Sequence, residues 1–200
     1  MELLTKFFQG ELSKPGRLLL VIASLAILPA MVLPTWRIRL KAPQYPKGLE
    51  MQIYPTTVKG DVREINLLNH YIGMHEISPD DFQEFRFIPF FILRFFGFAI
   101  LTALIARMAF AVIGWMDFVL FGAVMLYTLQ HWLYEYGHDL APNAPLSIEP
   151  FTPKFIGTTH IGQFQVSSWP AAGAILMIVA GAIGPVIAFY ELWRARRQQT

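Results

Sequence analysis

Four stretches of this 200-residue sequence are apolar and long enough to cross a lipid bilayer. A transmembrane helix needs about 20 apolar residues, and 54% of this chain is hydrophobic while 15% is charged. The second and third stretches come from one long block that Arg107 and Gly114 interrupt, with a turn at residues 106–109. We expect transmembrane helices at 18–36, 79–105, 110–136 and 170–193. The fold class predicted from this pattern is an all-α membrane protein.

Basic residues set the predicted orientation. An even number of spans places both termini on one side of the membrane, and short segments rich in Lys and Arg stay in the cytoplasm. The short segments on the terminal side carry Lys6, Lys14, Arg17, Arg107, Arg194, Arg196 and Arg197. Basic residues on the other side are spread over two long loops, and long loops count for less in this rule. Three of these residues directly follow the first span and argue for the opposite orientation. We therefore expect cytoplasmic tails at 1–17 and 194–200, and periplasmic loops at 37–78 and 137–169, in a bacterial inner membrane.

The two outer loops have patterns of their own. Segments 36–41 and 49–54 alternate apolar and polar side chains, which predicts two short strands or a hairpin. The following run REINLLNHYI keeps helical spacing until Gly73. In the second loop we expect one short strand near 162–167. Together the two loops are expected to form a small mixed cap over the outer ends of the four helices.

All five histidines fall on the loop side: His70, His75, His131, His138 and His160. Imidazole is the commonest metal ligand in proteins. The chain has no cysteine, so a metal site would use His, Met, carboxylate or backbone groups. The absence of cysteine also excludes disulfides, thiolate zinc sites and cysteine nucleophiles.

The densest polar cluster, NHYIGMHE, contains a candidate copper site. His70 and Met74 are four residues apart, on one face if the helix extends that far, and His75 follows. Imidazole and thioether groups together suit Cu(I). Met51, on a predicted strand, is a weaker candidate ligand. The alternative interpretation is that Asn69 and His70 cap a helix while Met74 packs at the membrane surface.

His131 and His138 are also weaker metal candidates. They are seven residues apart, about 10 Å along a helix, which is too far for both to bind one ion without a third group between them. His138 could instead act as a cation at the end of a helix. A haem held by two histidines would need facing histidines within the membrane, so a haem cofactor is disfavoured.

Two charged residues fall within or beside predicted spans. Arg94 lies inside the second span and Asp117 near the start of the third, and charges within a membrane are costly and often functional. We favour a structural or partner contact over a proton path. No nucleotide-binding loop, nucleophile elbow or HExxH motif occurs, so we do not expect an enzyme. The net charge of +2 gives no argument for nucleic acid binding.

Two motifs carry a resemblance to a known group of proteins. APQYP with the following GL at 42–49, and NLLNHYIGM at 66–74, resemble a little-characterised group of small polytopic bacterial membrane proteins. That group is associated with gene clusters for nitrous-oxide reductase maturation and copper supply. The second-loop runs FIG at 155–157 and SSWP at 167–170 look similar to it as well. The resemblance implies an inner-membrane accessory protein near copper delivery or electron supply, and it implies no catalytic residues.

Three functions follow as hypotheses. The first is an accessory protein that handles copper or supports assembly of a periplasmic copper or redox enzyme, with other membrane or periplasmic subunits as partners. The alternative is a non-catalytic docking subunit of a respiratory or photosynthetic complex, since Ala180 and Gly184 have the spacing of closely packed helices. A third is a quinone or lipid site beneath the cap, near His131, Trp132 and Tyr134.

Overall fold

A computed structural model describes residues 8–197 of the chain. From Lys14 onward its α-helices are α1 (Lys14–Ile27), α2 (Val62–Ile72), α3 (Ile88–Ile105), α4 (Met108–His138) and α5 (Ala172–Arg197). Its strands are β1 (Trp36–Ala42), β2 (Tyr45–Ile53), β3 (Val58–Gly60), β4 (Gly157–Ile161) and β5 (Phe164–Pro170). The predicted tails 1–17 and 194–200 fall partly outside the described residues, and Lys6 lies outside them.

Four of these helices are long and apolar enough to cross a membrane, as predicted: α1 with its 3-10 extension to Met31, α3, α4 and α5. Their most apolar windows have mean hydropathies of 1.5 to 2.3, and only 6–28% of each window is buried inside the protein. The remaining apolar faces are therefore available to lipid. The alternating helix directions place Lys14 and Arg197 on the side opposite the two long loops.

Prolines determine where the first helix ends. The α-helix stops at Ile27, and a 3-10 turn spanning Leu28–Met31 contains Pro29. Pro34 then lacks the N–H that a continuing helix would need. Trp36, expected at the end of the first span, instead begins β1 and is buried.

The second and third spans also differ from their expected bounds. Residues 79–86 form two 3-10 turns, Pro79–Asp81 and Gln83–Arg86, and α3 begins only at Ile88. Helix α4 is 31 residues long, about 46 Å, whereas the hydrocarbon core is about 30 Å thick. Its last turns therefore rise out of the membrane beside the two loops.

The all-α prediction is wrong, because the two outer loops combine into one five-stranded antiparallel sheet. Its strand order is β3-β2-β1-β5-β4. β1 pairs with β2 through Ile38 and Met51, and with β5 through Ile38 and Ser168. The sheet and α2 form the extramembrane part of the protein, which we call the cap. Its core contains Leu49, Val58 and other buried apolar side chains.

Gly73 closes α2 in a way that requires glycine. Its φ is +81°, the left-handed conformation that favours glycine at a helix end. A Cβ atom there would lie 2.9 Å from both the backbone oxygen of Ala141 and the Cβ of Ala144. The N–H of Ala141 donates to the Gly73 carbonyl over 2.8 Å. The end of α2 is thus joined to the loop that follows α4.

Small residues on α5 pack against aromatic side chains of α4. The Trp115 indole donates to the Gly181 carbonyl over 2.8 Å, and its ring occupies the place of a Cβ at Gly184. A Cβ at Gly181 would lie 3.0 Å from the ring of Phe118. The small-residue spacing seen in the sequence therefore packs two helices of this chain, with Trp115 of α4 against Gly181 and Gly184 of α5.

Candidate functional site

A partly open cavity of about 360 Å³ lies between the cap and the membrane helices. Its size falls in the range of about 300–1,000 Å³ that is typical of small-molecule sites. The lining side chains include Leu40 and Met51 from the sheet, Leu68 from α2, Leu129 from α4 and Met177 from α5. The cavity is thus built by both loops and by three of the spanning helices, since Ile88 at the start of α3 also lines it.

The cavity continues from the cap into the membrane region. Helix α4 lines it from Phe121 to Tyr136, which is about 22 Å of helix. Leu126 of α4 and Ile178 of α5 also line it, and they are 43% and 62% exposed. The wall of the cavity therefore includes exposed apolar side chains of two helices that are long and apolar enough to span a membrane.

One charged side chain, Glu84, lines this cavity among the described residues. The indole N–H of Trp132 donates to its Oε1 over 3.3 Å, while its Oε2 is buried without a hydrogen-bond partner. Trp36, Asn69 and Tyr136 line the cavity too, but each donates its hydrogen bond to another protein group. A buried acceptor left unpaired costs about 1–3 kcal/mol. Apart from Glu84 and a few hydroxyl, amide and indole groups, the described wall is apolar.

Aromatic rings surround Glu84. The ring centroid of Phe82 lies 4.8 Å from that of Trp132 in an edge-on arrangement, 5.2 Å from Phe85 and 6.4 Å from Tyr136. We call these four residues the aromatic cluster. Phe82 lies between the two 3-10 turns before α3 and Phe85 in the second of them, while Trp132 and Tyr136 come from the last turns of α4. Glu84 therefore lies where the membrane helices meet the cap.

Local hydrogen bonds hold the segment that carries Glu84. The Ser78 hydroxyl accepts from the N–H of Asp80, and the Asp81 carboxylate accepts from the N–H of Ser78 over 3.3 Å. This reciprocal capping stabilises the first 3-10 turn. The Tyr136 hydroxyl donates to the Glu76 carbonyl. The turns are thus joined to both the cap and α4.

The candidate copper ligands do not converge on one surface. Because α2 ends at Ile72 and Gly73 turns the chain, the helical spacing of His70 and Met74 no longer applies. His70 is exposed and Met74 lines the cavity together with Met51. His75 is exposed, and its Nε2 lies 2.9 Å from Oδ2 of Asp139.

The weaker metal candidates are likewise separate. His131 is exposed on α4 and stacks on Tyr127, with 6.5 Å between the ring centroids. His138 stacks on Tyr134 at 3.9 Å, and its Nδ1 lies 3.0 Å from the Tyr134 carbonyl oxygen. Within residues 8–197, no group of three or more His, Cys, Asp or Glu side chains could hold a metal ion.

Arg94 and Asp117 meet between α3 and α4. Their Nη2 and Oδ2 atoms are 2.6 Å apart, and both side chains are partly exposed. The Arg94 guanidinium also lies over the rings of Phe91 and Phe95, 5.1 and 4.7 Å from their centroids. Its Nε is buried without a hydrogen-bond partner. The two charges form an intramolecular pair rather than two separate sites.

Sequence reasoning missed Glu84. The available signal was a single Glu between aromatic residues, in DFQEFRF, just before a long apolar block. Trp132, named for a site beneath the cap, does line the cavity, whereas His131 and Tyr134 are exposed. A scan against protein-family models finds no match to this chain, and a search of curated protein sequences also finds none.

Proposed function

We propose that this chain is a lipid-binding membrane protein that takes a molecule with a long apolar chain from the bilayer into the cavity beneath its cap. The cavity is the observation that carries this proposal. Its apolar lining runs from Leu40 in the sheet to the exposed Leu126 and Ile178 on the spanning helices α4 and α5. A ligand could therefore move between the bilayer and the cap without crossing water.

The chemistry of the wall supports a lipid over a polar metabolite. A polar ligand or a cluster of waters needs several hydrogen-bond partners, and the described wall offers few because most of its side chains are apolar. An apolar chain needs none. Burying it removes apolar surface from water or from loosely packed lipid and gains close contacts with the wall.

The lining residues also support binding over catalysis. Among the described residues, the cavity wall contains no Ser, Cys, Lys or His. Glu84 therefore has no Ser, Cys, Lys or His on the described wall with which to form a nucleophile–base pair. We propose a role in holding or presenting a lipid rather than in converting it.

The proposed location is the bacterial inner membrane, with the cap in the periplasm. Lys14, Arg17, Arg107 and Arg194 lie at the helix ends opposite the cap. Basic residues at short segments mark the cytoplasmic side. This orientation would place the cavity at the outer leaflet of that membrane.

Copper handling is a second candidate, favoured by one observation. Four of the eight methionines, Met51, Met74, Met125 and Met177, line the same cavity, and thioether sulfur suits Cu(I). The resemblance noted above points the same way. In this role the protein would be an accessory to a periplasmic copper or redox enzyme.

Metal content after Cu(I) loading under reducing conditions tests the copper candidate. Copper in the wild type that is lost in Met51→Leu with Met74→Leu would support a cavity site. Copper lost instead in His70→Ala with His75→Ala would support the surface cluster predicted from the sequence. Absence of copper in the loaded wild type would reject both.

Two glycines provide the test of lipid binding. A second cavity, of about 530 Å³, lies among the spanning helices. Gly122 lines the cavity beneath the cap, whereas Gly97 on α3 lines neither cavity. A Cβ at either glycine would meet nothing within 4 Å. Trp at Gly122 would fill the cavity without a backbone clash, and Trp at Gly97 is the matched control. Wild type and both variants are purified in mild detergent, and their co-purified lipids are identified by mass spectrometry.

We expect one lipid class to be enriched in the wild type and in Gly97→Trp relative to the whole membrane extract. It should be depleted about tenfold or more in Gly122→Trp, because the filled cavity loses most of its apolar contact area. Identical lipid profiles in all three proteins would contradict the proposal.

A further inference from the structure

We propose that two copies of this chain associate through one exposed face of α4, with the two-fold axis along the membrane normal. The inference is independent of the proposed lipid binding. It rests on a row of exposed side chains that repeats along α4 and on an ion pair that lies partly exposed within that row.

Helix α4 is the least buried of the four spanning helices. In its most apolar window 6% is buried inside the protein, against 17–28% in the other three. Helices in a membrane associate through close packing and polar contacts. A spanning helix that packs so little against its own chain keeps most of its surface available for such contacts.

Exposed residues recur along α4 in alternating steps of four and three, the spacing with which two helices pack along a shared seam. We call the following six residues the α4 stripe: Ile113, Asp117, Leu120, Val124, Tyr127 and His131. Its Ile, Leu, Val and Tyr residues are 50–73% exposed. The stripe is about 27 Å long, close to the roughly 30 Å thickness of the hydrocarbon core. The same spacing continues to Tyr134 and His138.

The α4 stripe is separate from both cavities. Gly122, Leu126 and Trp132 of α4 line the cavity beneath the cap, and Trp115 and Phe118 line the second cavity. None of the six stripe residues lines either one. A second helix on the stripe would therefore cover a face of α4 that takes no part in the walls of these two cavities.

The ion pair of Arg94 and Asp117 makes this face complementary in charge to its own copy. The two side chains are 38% and 40% exposed, and charges in contact with lipid are costly. A two-fold rotation about the membrane normal reverses every direction in the membrane plane. The pair and its copy would therefore lie side by side in opposite senses, so that each carboxylate faces the guanidinium of the other copy.

The other stripe residues are also compatible with their own copies. Two copies inserted with the same orientation place each side chain at the depth of its equivalent. The Ile, Leu and Val side chains then make apolar contacts. The Tyr127 hydroxyl and a neutral His131 imidazole each donate and accept hydrogen bonds. A different protein would need a matching pair of opposite charges at the depth of Asp117, so a second copy is the partner that the stripe fits.

Disulfide crosslinking in native membranes tests the proposal, because the chain has no cysteine of its own. Leu120→Cys and Val124→Cys place single cysteines on the stripe. Val119→Cys and Leu126→Cys are the matched controls, since these residues are 46% and 43% exposed on the same helix but lie outside the stripe. Each full-length variant is expressed as two differently tagged copies and oxidised with iodine, which crosses the membrane and adds no copper.

We expect a covalent dimer that carries both tags. It should be about fivefold or more abundant for the two stripe variants than for the two controls, because a disulfide needs Cα atoms within about 7 Å of each other. Equal yields at stripe and control positions, or no dimer from any of the four variants, would overturn the proposal.

A second comparison tests the ion pair. Arg94→Leu with Asp117→Leu, in the Leu120→Cys background, removes both charges together and leaves neither unpaired. We expect its dimer yield to fall about threefold or more, because the contact between the two ion pairs is lost. His75→Leu with Asp139→Leu removes an exposed pair of the cap and is the control, which should keep the yield of the background. An unchanged yield without Arg94 and Asp117 would overturn the paired arrangement of these charges.

Discussion

Arg94 on α3 and Asp117 on α4 form an ion pair with 2.6 Å between Nη2 and Oδ2. Arg94 lies six residues after the start of α3, about 9 Å along the helix axis, so the pair falls within the apolar span. A lone charge at this depth is expensive, and a paired one much less so. The pair therefore fixes the α3–α4 hairpin in register.

Breaking this pair from either side should destabilise the protein. We expect Arg94→Leu and Asp117→Leu each to lower the free energy of unfolding by about 2–3 kcal/mol, because each leaves one charge unpaired among apolar side chains. The double variant should cost far less than the sum. Unfolding titrations with SDS in mixed micelles measure all three, and strictly additive losses would show that the two charges are not coupled.

Gly16 faces a buried carboxylate at the opposite end of the bundle. Glu191 of α5 accepts from the backbone N–H and the hydroxyl of Ser13, at 2.8 and 2.5 Å, and a Cβ at Gly16 would lie 2.6 Å from its Oε1. Gly16→Ala should therefore displace Glu191 and cost about 1.5–3 kcal/mol of unfolding free energy, despite the better helix propensity of Ala.

Gly97→Ala is the control for this prediction, because a Cβ there meets nothing within 4 Å. It should be neutral or slightly stabilising. The comparison uses the unfolding midpoint of the two variants in the same detergent. If both alanines have the same effect, the close approach of Glu191 does not constrain Gly16.

Trp36 joins the two loops across the sheet. Its indole donates to the Ser168 hydroxyl over 2.7 Å, and that hydroxyl donates to the Phe155 carbonyl. Trp36→Phe should lower the unfolding free energy by about 1–3 kcal/mol by leaving Ser168 partly unsatisfied and reducing the buried area. Trp169→Phe, at a side chain 49% exposed on the same strand pair, should change it by less than half as much.

The absence of cysteine in the sequence makes labelling a direct test of sidedness. Gln44 and Gln163 are exposed at the turns of the two hairpins, and Glu11 is exposed on the opposite side. In spheroplasts, a membrane-impermeant maleimide should modify Gln44→Cys and Gln163→Cys but not Glu11→Cys until the membrane is opened. Modification of Glu11→Cys alone would reverse the proposed orientation. If the maleimide modified only one of the two hairpin cysteines, the four-span fold itself would be contradicted.

Local patterns in the sequence correspond to local structure. Apolar blocks give the four spanning helices, and the alternation at 36–41 and 49–54 lies in the β1–β2 hairpin. The single sheet was not predictable in this way, because β1 pairs with β5, as in Trp36 with Pro170, far along the chain. Alternation shows that a segment is extended and not which distant segment it pairs with.

The cavity could not be predicted from the sequence for a related reason. Its wall combines residues from the sheet, α2, the turns before α3, α4 and α5, and each apolar residue alone has the pattern of ordinary core. Met51 and Met74 were predicted as metal ligands from the chemistry of their side chains. That both line the same cavity is a result of the tertiary fold. The unpaired oxygen of Glu84 is likewise a property of packing, which no local pattern reveals.

Native mass spectrometry of the intact protein, released from detergent, tests the central claim most directly. We predict a wild-type species carrying one lipid-sized adduct, retained in Gly97→Trp and lost in Gly122→Trp. An adduct of the same mass and abundance in Gly122→Trp, or a wild-type protein that carries no adduct under conditions that preserve it in other lipid-bound membrane proteins, would contradict the account.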